Sequence, residues 1–300
     1  MTSPKYRGRF APSPTGPLHF GSLVAALGSW LDARAHGGEW LVRIEDIDPP
    51  REVAGASDAI LRSLEAHHLY WDGNVLYQHT RSEAYRAALD ALHRNGVIYP
   101  CTCTRKQIAD RQQAQGLSPN VYPGTCRPRT NIPHEPHALR VNTTGAHQSF
   151  MDRIQGLQQQ NIESEVGDFV VRRADGLFAY QLAVVVDDGE QGITDIVRGS
   201  DLLDNTPRQL LLQQLLKLPT PRYAHLPVAV NAAGQKLSKQ TFAPPLDDRH
   251  PLPALREALR FLGLPPPHEF HDATIDELLT WAVNYWNIEL VPKQIAVQHT

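Results

Sequence analysis

Apolar and polar positions follow two different periods along this chain of 300 residues, and the changes of period mark its elements. Arg7–Ala11 has the pattern of a short strand and runs into a turn rich in Pro and Gly. From Ser22 to His36, Leu23, Ala26, Leu27, Trp30 and Leu31 recur at i, i+3, i+4, i+7 and i+8, which predicts an amphipathic helix. Trp40–Ile44 is a compact apolar strand, so strand, glycine turn, helix and strand form a βαβ unit. Helices are expected at Ser57–His68 and at Arg81–Asn95, the second opened by a Thr80…Glu83 capping box and stopped at Gly96. Phe169–Arg173 and Leu177–Val186 flank Asp175-Gly176, a hairpin signal. Asn205-Thr206-Pro207 predicts a helix start with a cap residue and Pro at the first position, and Leu211, Leu215 and Leu218 continue its buried stripe. Two more helices are expected at Pro253–Leu262 and Thr274–Trp286.

Residues 99–150 break the alternation, with few periodic segments and many Pro, His, Asn and Thr. They read as an insertion between two halves of one α/β core, 1–98 and 151–218, with 219–300 as a short helical C-terminal region. A 41% hydrophobic and 20% charged composition is that of an ordinary soluble globular protein. Met1–Phe10 has no apolar signal core and no apolar run is long enough to span a bilayer, so a cytoplasmic location without membrane association is expected. A net charge of −3 argues against broad polyanion binding but leaves room for a local patch. Residues 245–300 themselves carry four Arg/Lys against eight Asp/Glu.

All three cysteines, Cys101, Cys103 and Cys126, fall inside the poorly periodic insertion. Unrelated buried thiols would not cluster so closely in a polar segment. Three thiolates suit one structural zinc ion, which takes four tetrahedral ligands. His93 and His134 are generic candidates for the fourth position.

Two short stretches carry the chemistry. Pro12-Ser-Pro-Thr-Gly-Pro-Leu-His-Phe-Gly-Ser22 precedes the first helix, and Lys236-Leu-Ser-Lys-Gln240 lies far downstream. Gly16, Gly21 and Ser22 are small enough to let phosphate approach backbone N–H groups at a helix start. His19 could donate to a phosphate oxygen, and Lys236 and Lys239 could neutralise a pyrophosphate leaving group. A lone His-x-Gly or Lys-x-Ser-Lys is commonplace, and only the pairing has weight. Together the stretches resemble the HIGH and KMSKS signatures of class I aminoacyl-tRNA synthetases. That resemblance implies a Rossmann-like catalytic core that binds ATP, with Mg2+, at Gly16, His19, Gly21, Ser22 and Lys239, with His19, Lys236 and Lys239 catalytic.

Arg9-Phe-Ala-Pro-Ser-Pro14, Arg43-Ile-Glu-Asp46, Ile193–Gly199 and Asn205-Thr-Pro-Arg-Gln209 narrow the resemblance to the glutamyl branch. It implies an L-glutamate site made by Arg9, Ala11, Ser13, Glu45, Tyr180 and Arg198. Arginine forks suit the two carboxylates and an acid suits the ammonium. For Arg43 and Asp46 the plainer reading is an ion pair at a strand end; Asp187-Asp188 reads as a ribose contact or a solvated turn. The same resemblance points to the Tyr122 oxygen as fourth ligand beside Cys101, Cys103 and Cys126.

The chain ends soon after the lysine motif, so no anticodon-binding domain is expected, and Ser200-Asp-Leu202 departs from the Glu-Asp-His usual in full-length enzymes. In this it resembles a stand-alone branch of the family. The resemblance implies activation of glutamate without tRNA, then transfer to the cyclopentenediol of queuosine in the anticodon loop of tRNA-Asp, by a monomer. The alternatives are a minimal enzyme charging a tRNA 3′ end, a small-molecule nucleotidyl transferase, and a zinc-containing RNA-binding module.

Overall fold

The computed structural model describes residues 5–119, 121–129, 131–236 and 244–299. Lys239 lies outside the described residues. β1 (Arg7–Phe10), α1 (Phe20–Ala35) and β2 (Glu39–Ile44) form the predicted unit, with the strands parallel and in register from Arg7↔Glu39 to Phe10↔Val42. The helix begins two residues before Ser22, because His19 rather than a serine or aspartate caps it. Leu76–Tyr77 extends the sheet beyond β2, again parallel.

On the other side of β1 the chain switches direction. Arg7 N donates to Thr194 Oγ1 at 2.9 Å and Thr194 N to Arg7 O at 3.0 Å, which lays the strand Asp195–Gly199 beside β1. Arg222–Leu226 pairs with it in parallel, and His147–Asp152 and Gly156–Asn161 complete that sheet. A doubly wound sheet opens a crevice where its crossovers diverge, at the carboxyl ends of the strands. Here those ends are Phe10 and Gly199.

One core packs β1, α1 and β2 against the helices Pro251–Phe261 and Ile275–Tyr285. A second packs Ser82–Arg94, Tyr180–Glu190 and Thr206–Leu216. The insertion is built on an antiparallel sheet of Ile98–Cys101, Ala138–Val141 and Val170–Arg172. No helix of the described residues is long and apolar enough to cross a membrane.

Three local expectations need correcting. Thr80 does not cap a helix: its hydroxyl donates to Tyr77 O, and Ser82–Arg94 starts without a side-chain cap. The Asp175-Gly176 turn forms, with Gly176 at φ +91°, but the second arm becomes the helix Tyr180–Glu190 after one bridge, Arg172↔Phe178. Its run of β-branched residues is buried against other helices, and tertiary packing overrides strand propensity. Asn205 precedes its helix but its side chain accepts from Gln181 instead of capping.

The C-terminal helices are tied to the core by one buried carboxylate. Asp32, fully buried, accepts from Tyr6 OH, from Arg153 at two nitrogens and from Trp286 Nε1 at 3.1 Å. Burial alone would raise its pKa, but Arg153, Tyr6 and Trp286 together hold it below the usual carboxylate value. Replacing Asp32 by Ala strands Arg153 and the phenol, so a loss of about 3 kcal/mol or more is expected in urea denaturation.

Candidate active site

The crevice at the switch point is a cleft of about 1050 Å3. Among the residues lining it are Arg9, Ala11, Ser13, His19, Gly21, Ser22, Glu45, Tyr180, Arg198 and Lys236. The structure therefore brings together every described residue singled out in the sequence for ATP or glutamate except Gly16. That glycine is buried in the preceding turn at φ +135°, where a side chain would strain the backbone.

The two halves of the cleft differ in character. On the side of the α1 start, the loop after β1 is held by Glu45 N donating to Pro12 O and Val53 N donating to Pro14 O, both at 3.0 Å. His19 caps α1, and its Nδ1 accepts from Ser22 N at 3.3 Å. A neutral ring so engaged carries its proton on Nε2. The first-turn amides of α1 add the positive end of the helix dipole. The segment that follows the lysine motif returns to this turn: Leu246 N donates to Leu18 O at 3.0 Å, and Pro245 bridges to His19. The segment before it is anchored by the bridge Val230↔Lys236, and Lys236 Nζ meets Asp201 Oδ2 at 2.5 Å. Asp201 belongs to the triplet that departs from the glutamyl pattern.

The other half is a buried charge network. Asp188 Oδ1 lies 3.1 Å from Arg9 Nε and 2.8 Å from Arg43 Nη2. Arg43 also reaches Gln191 Oε1 at 2.7 Å and stands 3.6 Å from Glu45 Oε1. Asp187 accepts from Gln78, Tyr85 and Arg81. Both aspartates are buried in a helix, so the solvated turn does not describe them. Arg43 and Asp46 do not pair with each other: Asp46 holds His79, through its backbone N at 2.9 Å and Nδ1 at 2.5 Å.

Arg43 Nε, Arg198 Nη1 and Glu45 Oε1 in this wall are buried without a hydrogen-bond partner among the described residues. Arg198 is oriented by His225 Nε2 at 3.0 Å and by Thr206 Oγ1 and Gln209 Oε1, both at 2.8 Å. The Tyr180 hydroxyl feels the charges of Arg198, Glu45 and Arg9 together. Burial pushes the Glu45 carboxyl up to about 7, against the pull of Arg43 and Arg9. A guanidinium N–H and a carboxylate oxygen in one wall, neither of them hydrogen-bonded and the oxygen only loosely paired with Arg43 at 3.6 Å, complement a molecule with both carboxylate and ammonium.

Sequence reading missed Asp152 and His225. His225 Nδ1 donates to Asp152 Oδ2 at 2.6 Å, and burial drives the imidazole pKa down to about 4, so the ring is neutral and its Nε2 accepts from Arg198. No motif announced the pair, since it is made by strands far apart in the chain. Thr206 and Gln209 lay within a quoted motif but without a role.

In the insertion, the thiol sulfurs of Cys101, Cys103 and Cys126 lie within 4.8 Å of one another. The Tyr122 hydroxyl stands 3.2 Å from Cys101 Sγ and 3.5 Å from Cys103 Sγ, and Cys126 N donates to it at 3.1 Å. No histidine joins this group among the described residues, and His93 and His134 are exposed. Burial would raise the Cys126 thiol, but a backbone hydrogen bond from Thr102 and contacts from Tyr122 and the other thiols bring it down to about 7. The donor set fits a thiophilic cation. Asp168 fastens the region, accepting from Arg127 at 2.8 and 2.9 Å, from Thr143 and from Tyr99.

Residues 5–271 match the family profile of the catalytic domain of class I tRNA synthetases (E and Q). The chain is 58% identical over 287 residues to a protein of Thiobacillus denitrificans named glutamyl-Q tRNA(Asp) synthetase, covering 95% of this chain and 94% of that one. Proteins of the same name from Aromatoleum aromaticum and Serratia proteamaculans are 54% and 53% identical; each match covers 99% of this chain, and 93% and 95% of theirs. The crystal structure of a glutamate tRNA ligase from Elizabethkingia meningosepticum, in complex with its amino acid, superposes with a TM-score of 0.81. At 24% identity, covering 99% of this chain and 67% of that one, it shares the fold.

Proposed function

We propose, since this chain belongs to the class I tRNA synthetases of the E and Q type, that it is a ligase joining glutamate to queuosine in tRNA-Asp, the acceptor its glutamyl-Q relatives are named for. The observation that carries the amino-acid half of this reading is the pair of groups that lack a hydrogen bond, Arg198 Nη1 and Glu45 Oε1, in the same cleft as the His19 helix start. Glu45 receives the ammonium, while the guanidinium groups of Arg9 and Arg198 face the two carboxylates, with Tyr180 between them. Glutamine would leave a guanidinium facing an amide, a poorer partner.

An oxygen of the α-carboxylate attacks the α-phosphorus of ATP, and the bond to pyrophosphate breaks. His19 donates from Nε2 to the phosphate oxygen that gains charge, with Gly16, Gly21 and Ser22 giving close backbone approach. Lys236 and Lys239 neutralise the leaving pyrophosphate, and Mg2+ accompanies the nucleotide. A hydroxyl of the queuosine cyclopentenediol then attacks the carbonyl carbon, AMP departs with the electron pair, and the hydroxyl proton is lost to solvent. Cys101, Cys103, Tyr122 and Cys126 hold a structural zinc ion that fixes the insertion. The enzyme works as a cytoplasmic monomer.

Labelled glutamate is expected to pass to tRNA-Asp that contains queuosine, not to unmodified tRNA-Asp, and adenylate is expected to form without RNA. The label should survive removal of the 3′-terminal adenosine. Loss of label on that trimming would instead mark a minimal enzyme charging the 3′ end.

The Glu45 environment gives a pH signature. A carboxyl raised to about 7 is largely neutral below that pH and cannot pair with ammonium. KM for glutamate is expected to fall as pH rises from about 6 to about 8. In Glu45→Gln it should lie about tenfold higher and lose that dependence, as read by ATP–pyrophosphate exchange. A parallel pH dependence in the variant would assign it elsewhere.

Metal analysis should find about one zinc per chain, lost in Cys103→Ser together with thermal stability. Undiminished zinc in Tyr122→Phe would give the fourth position to another donor.

A further inference from the structure

The strand Ala296–Gln298 pairs in parallel with Val228–Val230, from Val228↔Ala296 to Val230↔Gln298. Val228–Val230 follows Pro227 just past the strand Arg222–Leu226, and among the described residues this sheet has only two strands. A two-stranded sheet is marginal by itself, so each strand depends on its partner for its place. The dependence matters because Val228 and Ala229 line the cleft that holds His19 and Glu45, and Val230 bridges to Lys236.

Burial does not hold this strand in place, because Gln294, Ile295, Ala296 and Gln298 are all exposed. Hydrogen bonds do. Ile295 O accepts from Val228 N at 3.0 Å and from Ser200 Oγ at 2.5 Å. Gln155 Nε2 donates to Gln294 O at 3.1 Å and to His225 O at 2.9 Å, which ties the segment to the strand Arg222–Leu226. His299 completes the set: its N donates to Val230 O at 2.8 Å, and its ring lies on Phe20 with centroids 4.1 Å apart. Phe20 follows His19 and also meets Phe261 edge-on at 5.7 Å. His299 Nε2 stands 2.8 Å from Glu257 Oε1 on the helix Pro251–Phe261. One residue therefore touches both the strand that bridges to Lys236 and the first residue of α1.

We propose that His299 is a positioning residue for ATP, which rests on the activation reading above and adds what spaces its two phosphate-facing stretches. Its backbone holds Val228–Val230, and with that strand Lys236. Its ring fixes Phe20, and with it the His19 cap. A phosphate chain gripped at both places needs their separation set in advance, since a misplacement of about 1 Å can cost about a hundredfold in rate. The amino-acid wall does not depend on this contact, because Arg9 and Arg198 are held by Asp188 and His225. Weakening His299 therefore moves ATP binding and spares glutamate.

ATP–pyrophosphate exchange on the full-length protein separates the two substrates. His299→Ala is expected to raise KM for ATP about tenfold and to leave KM for glutamate within about twofold. His299→Phe keeps a ring on Phe20 and should stay within about threefold of wild type for both substrates. Gln298→Ala, at an exposed position of the same strand, should match wild type. A purely structural role would move both constants together, so a parallel rise overturns the proposal. So does an unchanged KM for ATP in His299→Ala, or an equal loss in His299→Phe or Gln298→Ala. Should His299→Ala not fold, as read by circular dichroism, Ser200→Ala removes one hydrogen bond from the same segment and no ring. It is expected to raise KM for ATP alone by about threefold, and an unchanged value there also overturns the proposal. Absence of exchange in the wild-type protein would instead sink the activation reading.

Discussion

The buried carboxylate of Asp188 is the interaction on which the site depends. It faces two guanidinium groups, Arg9 at the end of β1 and Arg43 at the end of β2. Those strands run side by side, so two cations would otherwise share one buried wall. Desolvation and mutual repulsion would make that arrangement costly. Burial raises the pKa of Asp188, but the two arginines outweigh it and hold the group ionised. The helix Tyr180–Glu190 thus does two things at once: it presents Tyr180 to the cleft and neutralises the strands beneath it. Glu45 feels the balance, because the same arginines that keep Asp188 charged only partly offset its own burial.

A second relay orients the opposite wall. Asp152 fixes the tautomer of His225, the neutral ring accepts from Arg198 Nε, and Thr206 and Gln209 take its Nη2. Every direction of the guanidinium is thereby set except Nη1, which is buried without a hydrogen-bond partner among the described residues. Preorganisation of this kind places the reorganisation cost in folding rather than in binding. It also explains why an arginine can be buried here at all: its positive charge is matched by hydrogen-bond acceptors rather than by a paired acid.

Much of this was legible in the chain. The βαβ unit and the helices at either end follow from period and turn chemistry, because local sequence dictates local geometry there, whereas the cleft residues Arg9, Glu45, Tyr180 and Arg198 were legible only through the family resemblance. The helix Tyr180–Glu190 was not legible, since Val184, Val185 and Val186 favour a strand and only packing against Ser82–Arg94 and Thr206–Leu216 reverses that preference. The charge network was hidden for a different reason. Asp188 is 145 residues from Arg43 and 179 from Arg9, so no spacing rule joins them. Asp187-Asp188 reads in sequence as a ribose contact or a solvated turn, because two adjacent acids are usually exposed. In the insertion the cysteine spacing marked the cluster, but the strand Ala138–Val141, and beyond it the core-sheet strands His147–Asp152 and Gly156–Asn161, lie in polar sequence whose alternation is too weak to stand out.

The remaining asymmetry lies in how firmly the two halves of the cleft are held. The amino-acid wall is closed by buried pairs whose rearrangement would expose unmatched charge. Lys236 and Asp201 instead meet at the surface, their side chains 44% and 38% exposed. Exposed pairs contribute little to stability because water and salt compete for both partners. The Lys236–Asp201 pair is therefore a weak one, whereas Arg9 could not leave Asp188 on the same terms. The bridge from Val230 and the return of Pro245 to His19 keep both ends of the lysine segment close to the α1 start. Asp201, from the triplet Ser200-Asp201-Leu202, supplies the acid of that exposed pair.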